Sequence, residues 1–357
     1  MKRLNLLTGV LISLILVLFS CESDDTLNRS VHKSDGITPI YMVTYTEHQL
    51  ANWKETGSPF LEDELDNSSS TKIDPHIQSQ GGVFRPISTP QTRAFGLNPN
   101  QNRFWSMIRL KIGTISDPVR SYIIKAISDI QQETNIRFYN AIEDPDVDPI
   151  YGFKYPNVHI QVAPKKQIGS SYVGRLGEEQ YIYIPKDMVD NSDKYGIDVI
   201  VGFIKHALCN VAGMYNEQQR NDRDNYVTLY TSNIQSDNLF QFNKITKNYY
   251  SRGSFDWASI TLAGSYDFSQ NGLKTITTKS GGVMPINTSL SELDRMFLNY
   301  FYLPYKPRTD TYRELDDVVY DGNNRQLTSD ERLELQSYLN NGVSTPPENG
   351  TLIPPAW

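Results

Sequence analysis

Residues 206–227 read HALCNVAGMYNEQQRNDRDNYV, and this stretch decides the fold. It begins inside the segment GIDVIVGFIKHALCNVAGMY, which is apolar on nearly every side and therefore predicts a buried central helix. His206 and Asn210 are four residues apart, so their side chains lie on the same helical face. Gly213 stands just past the predicted helix end, where a left-handed residue turns the chain back and brings Asn216 beneath the helix.

The spacing of these residues is the frame of a zinc-peptidase motif. Such a motif binds zinc through two imidazoles one helical turn apart and a third beyond the glycine, with a Glu after the first His as general base. Here Ala207 replaces the general base, and Asn210 and Asn216 replace two of the three ligands, so that His206 alone remains. Because amide oxygens bind zinc poorly, the sequence predicts that no zinc binds. A site formed by His206 with Cys209 is the less favoured alternative to a buried structural role for Cys209.

Several further motifs follow the order of a known family. They are EQQRNDRDNYVTLYTSNI (217–234), SSYVGR (170–175), FDWASITLAGSYDFSQNG (255–272) and SLSELDRMFLNYFY (289–302). From about residue 102 to 305 the chain resembles the astacin family of zinc endopeptidases. The resemblance implies an α/β (α+β) fold of the metzincin or zincin-like type. In that fold an upper lobe with a twisted, mixed but mostly parallel sheet and a long central helix faces an irregular C-terminal lobe across a cleft.

The departures from the family pattern extend to the turn beneath the metal. Where the family has Ser-x-Met-His-Tyr, this chain keeps Ser259 and has Thr261, Leu262 and Ala263 at the last three positions. The missing Tyr is an additional zinc ligand in the family. Together with the losses in the helix, Ala263 therefore predicts a pseudo-enzyme with no catalytic residue and no cofactor, zinc having been lost from the ancestral site.

The resemblance also assigns roles to charged residues that follow the helix. In the family, the residue at the position of Glu217 pairs with a buried N-terminal amine, which an acylated chain start does not supply, so we expect a different partner here. Arg220, Asp222, Arg223 and Asp224 match the family pattern and are predicted to form a structural charge network rather than substrate contacts.

The chain begins with features typical of an exported lipoprotein. Lys2 and Arg3 precede a short apolar run, 6–19, which ends in LFSC and is shorter than a comfortable membrane span. LFSC resembles a bacterial lipobox, which predicts cleavage after residue 20 and a lipid on Cys21; a single-span anchor is the alternative. The acidic ESDD that follows resembles the export tag of Bacteroidetes lipoproteins. We therefore expect a lipid anchor in the bacterial outer membrane, with exposure on the outer face as a further possibility.

Composition narrows the remaining classes of function. The 357 residues carry a net charge of −7 and contain 38% hydrophobic and 21% charged residues, which indicates a packed globular chain without the basic clusters that bind nucleic acid. The predicted organisation is a signal peptide (1–20), a tether and N-terminal segment (21–95), the astacin-like domain (96–306) and a C-terminal extension with one helix (307–357).

Local patterns predict the main elements. A long amphipathic helix is predicted at 117–135, with Asp117 as its N-cap and Pro118 at its first position, and a later helix is predicted to be capped by Ser329. The predicted strands lie within 37–45, 104–112, 136–141, 157–164 and 180–187.

The sequence favours a noncatalytic function in which the cleft binds a peptide or protein segment without cutting it. Two alternatives remain open. One is a working zinc endopeptidase with a rearranged site. The other is a structural component of a surface assembly, in which the N-terminal segment or the tail fills the cleft.

Overall fold

The computed structural model describes residues 40–60, 95–97, 103–163, 168–251, 253–348, 350–353 and 355–357. Its strands are β1 (Ile40–Val43), β2 (Phe95–Leu97), β3 (Ile108–Ile112), β4 (Phe138–Asn140), β5 (Val158–Val162), β6 (Ile168–Ser171), β7 (Gln180–Ile184), β8 (Val227–Leu229), β9 (Tyr249–Ser251) and β10 (Ile276–Thr278). Its helices are α1 (Glu47–Thr56), α2 (Val119–Glu133), α3 (Lys186–Asp190), α4 (Ser192–Tyr195), α5 (Ile197–Val211), α6 (Glu292–Phe301) and α7 (Ser329–Leu339).

The upper lobe is a six-stranded mixed sheet, in the order β1-β6-β7-β5-β3-β4. Neighbouring strands are parallel except for β6 and β7, which run antiparallel. The prediction of a mixed, mostly parallel sheet is confirmed, and each predicted strand segment contains an observed strand. Along β3 the buried residues Ile108, Leu110 and Ile112 alternate with Arg109 and Lys111, so one face of the sheet joins the core and the other carries polar side chains.

The predicted helix at 117–135 is α2, but its start differs from the prediction. The N-cap position is Pro118, without a side-chain cap, and Asp117 instead accepts a hydrogen bond from the Ser121 hydroxyl at 2.7 Å. The helix therefore begins at Val119, one residue later than predicted, and no side chain caps its first turn. The apolar stripe of α2, from Val119 to Ile130, is buried in the main core.

Helix α5 is the buried central helix that the sequence predicts. Its one buried cation, Lys205, is neutralised across the helix pair by Asp129 of α2, with 2.7 Å between Nζ and Oδ2. Gly213 then adopts φ +100°, and a Cβ there would lie 3.2 Å from both Leu97 and Phe104. The left-handed turn therefore requires glycine for its dihedral angle and for its close packing.

Beyond Gly213 the lower lobe is irregular, as predicted. It consists of short 3₁₀ turns, the two-stranded pairs β8–β10 and β2–β9, and α6, which matches the closing helix implied by the resemblance. A separate apolar cluster fills this lobe: Val227, Ile234, Phe242, Phe255, Leu262, Ala263, Phe268, Ile276 and Met284. The main core also reaches into this lobe through Phe297 and Phe301 of α6, so the lower lobe is held both by its own cluster and by the core around α5.

Residues 40–60 are an integral part of the domain. Strand β1 extends the sheet beside β6, and the Gln241 side chain binds both backbone groups of Val43, at 3.2 and 2.8 Å. In α1, which a Thr46 capping box starts, Trp53 is buried and its indole donates to the Lys244 carbonyl at 2.8 Å. This segment therefore connects the upper sheet edge with the lower lobe.

The C-terminal extension contains one helix among its described residues and packs on the domain. Helix α7 is capped by Thr328 through a capping box, so the predicted cap, Ser329, is instead the first helical residue. The Asn135 side chain binds both backbone groups of Tyr320, and Trp357 packs against the main core. The predicted signal peptide and Cys21 lie outside the described residues. In the part of the chain that the structure describes, no helix is both long and apolar enough to cross a bilayer.

Candidate functional site

The three positions of the zinc frame lie together at the end of α5, joined by hydrogen bonds. The Nε2 atom of His206 is 3.0 Å from the Asn216 Oδ1 atom. The amide nitrogen of Asn210 donates to the same oxygen at 3.1 Å and to the Met214 carbonyl at 2.9 Å. A hydrogen-bonded cross-link between helix and loop therefore stands where the family binds its metal.

The protonation of His206 follows from this arrangement. Burial lowers the pKa of His206 to about 4, while the hydrogen bond to Asn216 acts in the opposite direction. The imidazole is thus neutral at pH 7. Since an amide oxygen only accepts, the contact with Asn216 requires the proton on Nε2, and a metal ion at this nitrogen would have to displace Asn216. One such imidazole with two amides does not fit zinc, which takes imidazole nitrogen, thiolate or carboxylate ligands.

Small side chains occupy the other two catalytic positions. Ala207 and Ala263 are buried, and neither can move a proton or stabilise developing charge. His206, Asn216 and Ala263 border a pocket of about 40 Å³, together with Gln218 and Asp267. This volume holds a few water molecules rather than a drug-sized ligand, which takes roughly 300 Å³ or more.

The turn beneath the site is rigidly held without the family's Met. Ser259 donates to Asp294 Oδ1 at 2.8 Å, and the Thr261 hydroxyl donates to the Tyr215 carbonyl at 3.0 Å. Asp294 also caps α6 and accepts from the Ile260 amide at 2.7 Å. The turn therefore keeps its position through polar contacts with Asp294 and the chain after Gly213.

Glu217 has a different partner from the family's N-terminal amine, as expected. Its Oε1 atom accepts the Asp256 backbone N–H at 2.8 Å and lies 3.5 Å from Arg220 Nε. Burial raises the pKa of Glu217 to about 8, and the Arg220 charge opposes this rise. The residue thus ties the loop after the helix to the chain before Ser259.

The charged residues after Glu217 form the structural network that the sequence predicts. Arg220 makes two 2.9 Å contacts with Asp222, and Arg223 donates to Asp224 and to the carbonyls of Gln218 and Phe242. All of these contacts lie within the lower lobe. Cys209 is likewise structural: it is buried in the main core, and burial raises the pKa of its thiol.

The sheet edge beside the pocket is covered by the chain itself. β6 lies against α5 so closely that a Cβ on Gly169 would meet the Phe203 ring, and Phe203 borders the pocket. β1 pairs with β6 in parallel, the Thr44 amide donates to the Ser171 carbonyl at 2.7 Å, and Met42 packs on the lower-lobe cluster that contains Ala263. An extended segment of the protein therefore lies between the two lobes.

A group of possible metal ligands that sequence reasoning missed lies on the polar side of the sheet. The ligand atoms of Asp146, His159 and Glu179 all lie within 4.8 Å of one another, and His159 Nε2 is buried without a hydrogen-bond partner among the described residues. The Lys111 ammonium already lies 2.6 Å from Asp146 and would compete with a metal ion. These residues lie far apart in sequence and show no ligand spacing, so only the fold brings them together.

A mixed sheet over a long buried helix, a glycine turn and an irregular lobe that closes a cleft define the architecture of a zinc metallopeptidase. The sequence profile of the astacin peptidase family matches residues 98–303, which is more than half of the chain. The protein belongs to the astacin family.

Similar proteins include zinc metalloproteinases. The chain is 28% identical over 187 residues to zinc metalloproteinase nas-4 of Caenorhabditis elegans, a match that covers 51% of this chain and 53% of nas-4. It is 38% identical over 104 residues to embryonic protein UVS.2 of Xenopus laevis, covering 29% and 20% of the two chains. The chain thus spans about half or less of the length of these relatives. A solved structure, the hatching-enzyme zinc-protease high choriolytic enzyme 1 of Oryzias latipes, matches with a TM-score of 0.44, 24% identity and coverage of 56% and 93%.

Proposed function

We propose that this protein is a noncatalytic member of the astacin family that uses its cleft to hold an extended polypeptide segment without cutting it. The observation that carries the proposal is the hydrogen-bonded group of His206, Asn210 and Asn216 at the former metal position. A zinc ion would have to break this group and would then find one imidazole. The general base is absent as well, because Ala207 has no proton-transfer group.

In this proposal the chain's own β1 takes the place of a bound segment in the resting protein, because it already occupies the edge of the sheet beside β6. Its backbone pairing with β6 is the strand addition by which sheet edges recognise extended peptides. An external peptide binds at this edge by displacing β1. When no external peptide is bound, β1 covers the edge of the sheet. The predicted address supports an extracytoplasmic binding role: an acyl chain on Cys21 would anchor the protein in the outer membrane, with no nucleic acid among its partners.

The first experiment combines metal analysis with a protease assay. We expect the purified protein to leave casein and gelatin uncut. We expect the variant Ala207→Glu, Asn210→His, Asn216→His, Ala263→Tyr to bind zinc, and a chelator to remove this zinc. A His159→Gln variant run in parallel removes the candidate ligand group on the sheet, so zinc held there is not mistaken for zinc at α5. Chelator-sensitive cleavage by the unmodified protein would overturn the proposal.

The second experiment tests the segment. Gln241→Ala removes both hydrogen bonds that hold Val43 to the lower lobe, and we expect β1 to become more sensitive to limited proteolysis and to hydrogen exchange. Gln235→Ala, whose side chain binds Ser269 and Asn238 instead, is the matched control. Peptides selected from a random library should bind Gln241→Ala more tightly than the unmodified chain. Equal binding to both proteins would limit β1 to a purely structural role.

A zinc endopeptidase with a rearranged site is the second candidate, because Asp146, His159 and Glu179 can be brought to one ion. It predicts that His159→Gln abolishes both metal content and cleavage. Retained metal with no cleavage in the unmodified protein would leave this group as a structural site at most.

A further inference from the structure

A second cavity, of about 270 Å³, lies between the domain and its C-terminal extension. It is bordered by residues 105–107 and Arg109 at the start of β3, by Tyr139 of β4, by residues 155–156 before β5, by residues 305–306 at the end of the domain, and by residues of the extension such as Arg308 and Tyr312. It shares no lining residue with the pocket at His206. This volume is several times larger than that pocket and approaches the range of small-molecule sites.

Aromatic rings form much of its wall. The rings are Trp105, Tyr139, Tyr155, Tyr305 and Tyr312. The Trp105 indole N–H is already bound to the Val211 carbonyl at 2.9 Å, and the Tyr155 hydroxyl to Asp148 at 2.7 Å. These rings are therefore fixed in place by groups outside the cavity, and they offer rigid apolar surface to a ligand.

Arg109 is the central cation of the cavity and is held ready to bind. Its guanidinium lies 5.0 Å from the Tyr139 ring centre and 4.7 Å from that of Tyr155. Nη2 pairs with Asp144 at 2.6 Å, and Nε donates to Asn157 at 3.1 Å. Nη1 donates to no residue in the described ranges, so this arm of a preorganised fork is available to an acceptor.

Lys306 and Ser106 add further donors. The Lys306 ammonium lies 3.4 Å from Glu314 and 3.6 Å from Asp317, contacts too long to occupy all three of its protons, and the side chain is 29% exposed. The Ser106 hydroxyl forms no hydrogen bond with the described part of the chain. The donors thus face a cavity that has few acceptors to satisfy them.

The charge of the side chains that line the cavity also favours an anionic ligand. Five cationic side chains border the cavity, against one carboxylate: Arg109, Arg175, Lys306, Arg308 and Arg313 against Asp310. Carboxylates behind the wall balance most of this charge, since Asp144 pairs with Arg109, Glu314 with Arg308, and Asp317 lies near Lys306. The surface that borders the cavity nevertheless carries mainly cations, because these carboxylates do not line it, and this favours an anionic ligand.

We propose that this cavity binds an anionic sugar residue, such as a uronate or a sulfated sugar. The anionic group accepts from Arg109 Nη1 and Lys306, a ring hydroxyl pairs with Ser106, and the C–H face of the ring stacks on the tyrosine walls. A small inorganic anion would use the donors but leave the aromatic walls unused. A neutral sugar would use the walls but leave the cations without a partner. The wall includes residues of the extension, so the site exists only where both parts of the chain are present.

Calorimetric titration of the full chain tests this proposal with four probes: trigalacturonate, a sulfated disaccharide, neutral maltotriose and inorganic sulfate. We expect at least one of the two acidic sugars to bind, with maltotriose and sulfate each at least about tenfold weaker. Lys306→Gln and Arg109→Gln should each weaken that binding by about tenfold. Lys186→Gln, which removes an exposed lysine of α3 paired with Asp190, is the matched control and should leave the affinity unchanged.

Other outcomes overturn the proposal. If neither acidic sugar binds, or if maltotriose binds as tightly, the cavity does not recognise an anionic sugar. If sulfate binds as tightly as the acidic sugars, the cavity is an anion site only. If Lys306→Gln binds the acidic sugar with unchanged affinity, the proposed site is also excluded. The Lys306 side chain is partly exposed, so we expect this variant to fold normally. Far-ultraviolet circular dichroism checks that Arg109→Gln, which also loses the Asp144 pair, retains its fold.

Discussion

The hydrogen-bonded group of His206, Asn210 and Asn216 leads to a quantitative prediction for Asn216→Ala. The Asn216 side chain is 2% exposed, and its oxygen accepts from both His206 and Asn210. Removing it leaves two buried donors without an acceptor. Asn210 retains its bond to the Met214 carbonyl, so only one of its two amide hydrogens is affected.

The expected cost follows from these contacts. A buried donor left unpaired costs about 1–3 kcal/mol, so two donors amount to roughly 2–6 kcal/mol. Water can enter the adjoining pocket, which has a volume of about 40 Å³, and accept hydrogen bonds from the unpaired donors, which reduces this cost. We therefore expect Asn216→Ala to lower the free energy of unfolding by about 2–3 kcal/mol.

Urea denaturation followed by circular dichroism measures this change at an unchanged m-value. Asn216→Asp keeps the acceptor and places a negative charge beside His206, so it should lose less stability than Asn216→Ala at pH 6. Asn221→Ala, at an exposed position five residues later, is the control and should change stability by no more than about 0.5 kcal/mol. A loss below about 0.5 kcal/mol for Asn216→Ala would refute the cross-link and leave the position open to other ligands.

Three further predictions concern residues around the same helix. Because the pKa of His206 is about 4 in the folded protein, against an ordinary value of 6.5, its contribution to the free energy of unfolding should fall by at most about 3 kcal/mol as pH drops from 6.5 to 4. Buried carboxyls with raised pKa values, such as Glu217, change stability in the opposite direction over this range, so the His206 contribution is measured as the difference between the unmodified chain and His206→Gln in urea titrations. Gly213→Ala should lower the free energy of unfolding by about 2–3 kcal/mol in thermal melts, more than Gly281→Ala, because both have positive φ but only the first meets neighbouring side chains. The Cys209 thiol, buried and with a raised pKa, should react with a thiol reagent only at the rate of unfolding; rapid reaction in the native protein would show an open path to the helix.

Much of the fold could be predicted from local patterns. The burial alternation of β3, the all-round apolar character of α5 and the turn at Gly213 are each encoded within a few residues, and the structure contains all three. The cap assignments at Asp117 and Ser329 were wrong by one residue each. Thr328 and Ser329 have similar capping ability, and backbone geometry selects Thr328. At the other helix the N-cap position falls on Pro118, whose side chain cannot cap.

The candidate site was predictable in part for the same reason. The positions of His206, Asn210 and Asn216 follow from helix periodicity and one glycine, but their mutual hydrogen bonds depend on side-chain orientations that no spacing specifies. The group Asp146, His159 and Glu179, and the cavity around Arg109, are assembled from segments far apart in the chain. No local pattern marks residues that meet only after the sheet has formed.

The sequence by itself determined the family, the helix that carries the degenerate site, and the loss of the residues that zinc chemistry requires, because each depends on residue identity at fixed spacing. Only the tertiary structure decided which distant segments pack against this helix and its sheet. Strand β1 joins β6 across more than a hundred residues, and the extension closes a cavity against the start of β3. Both contacts depend on long-range packing, in which the buried surface of one segment is complementary to another, and this complementarity exists only in the folded chain.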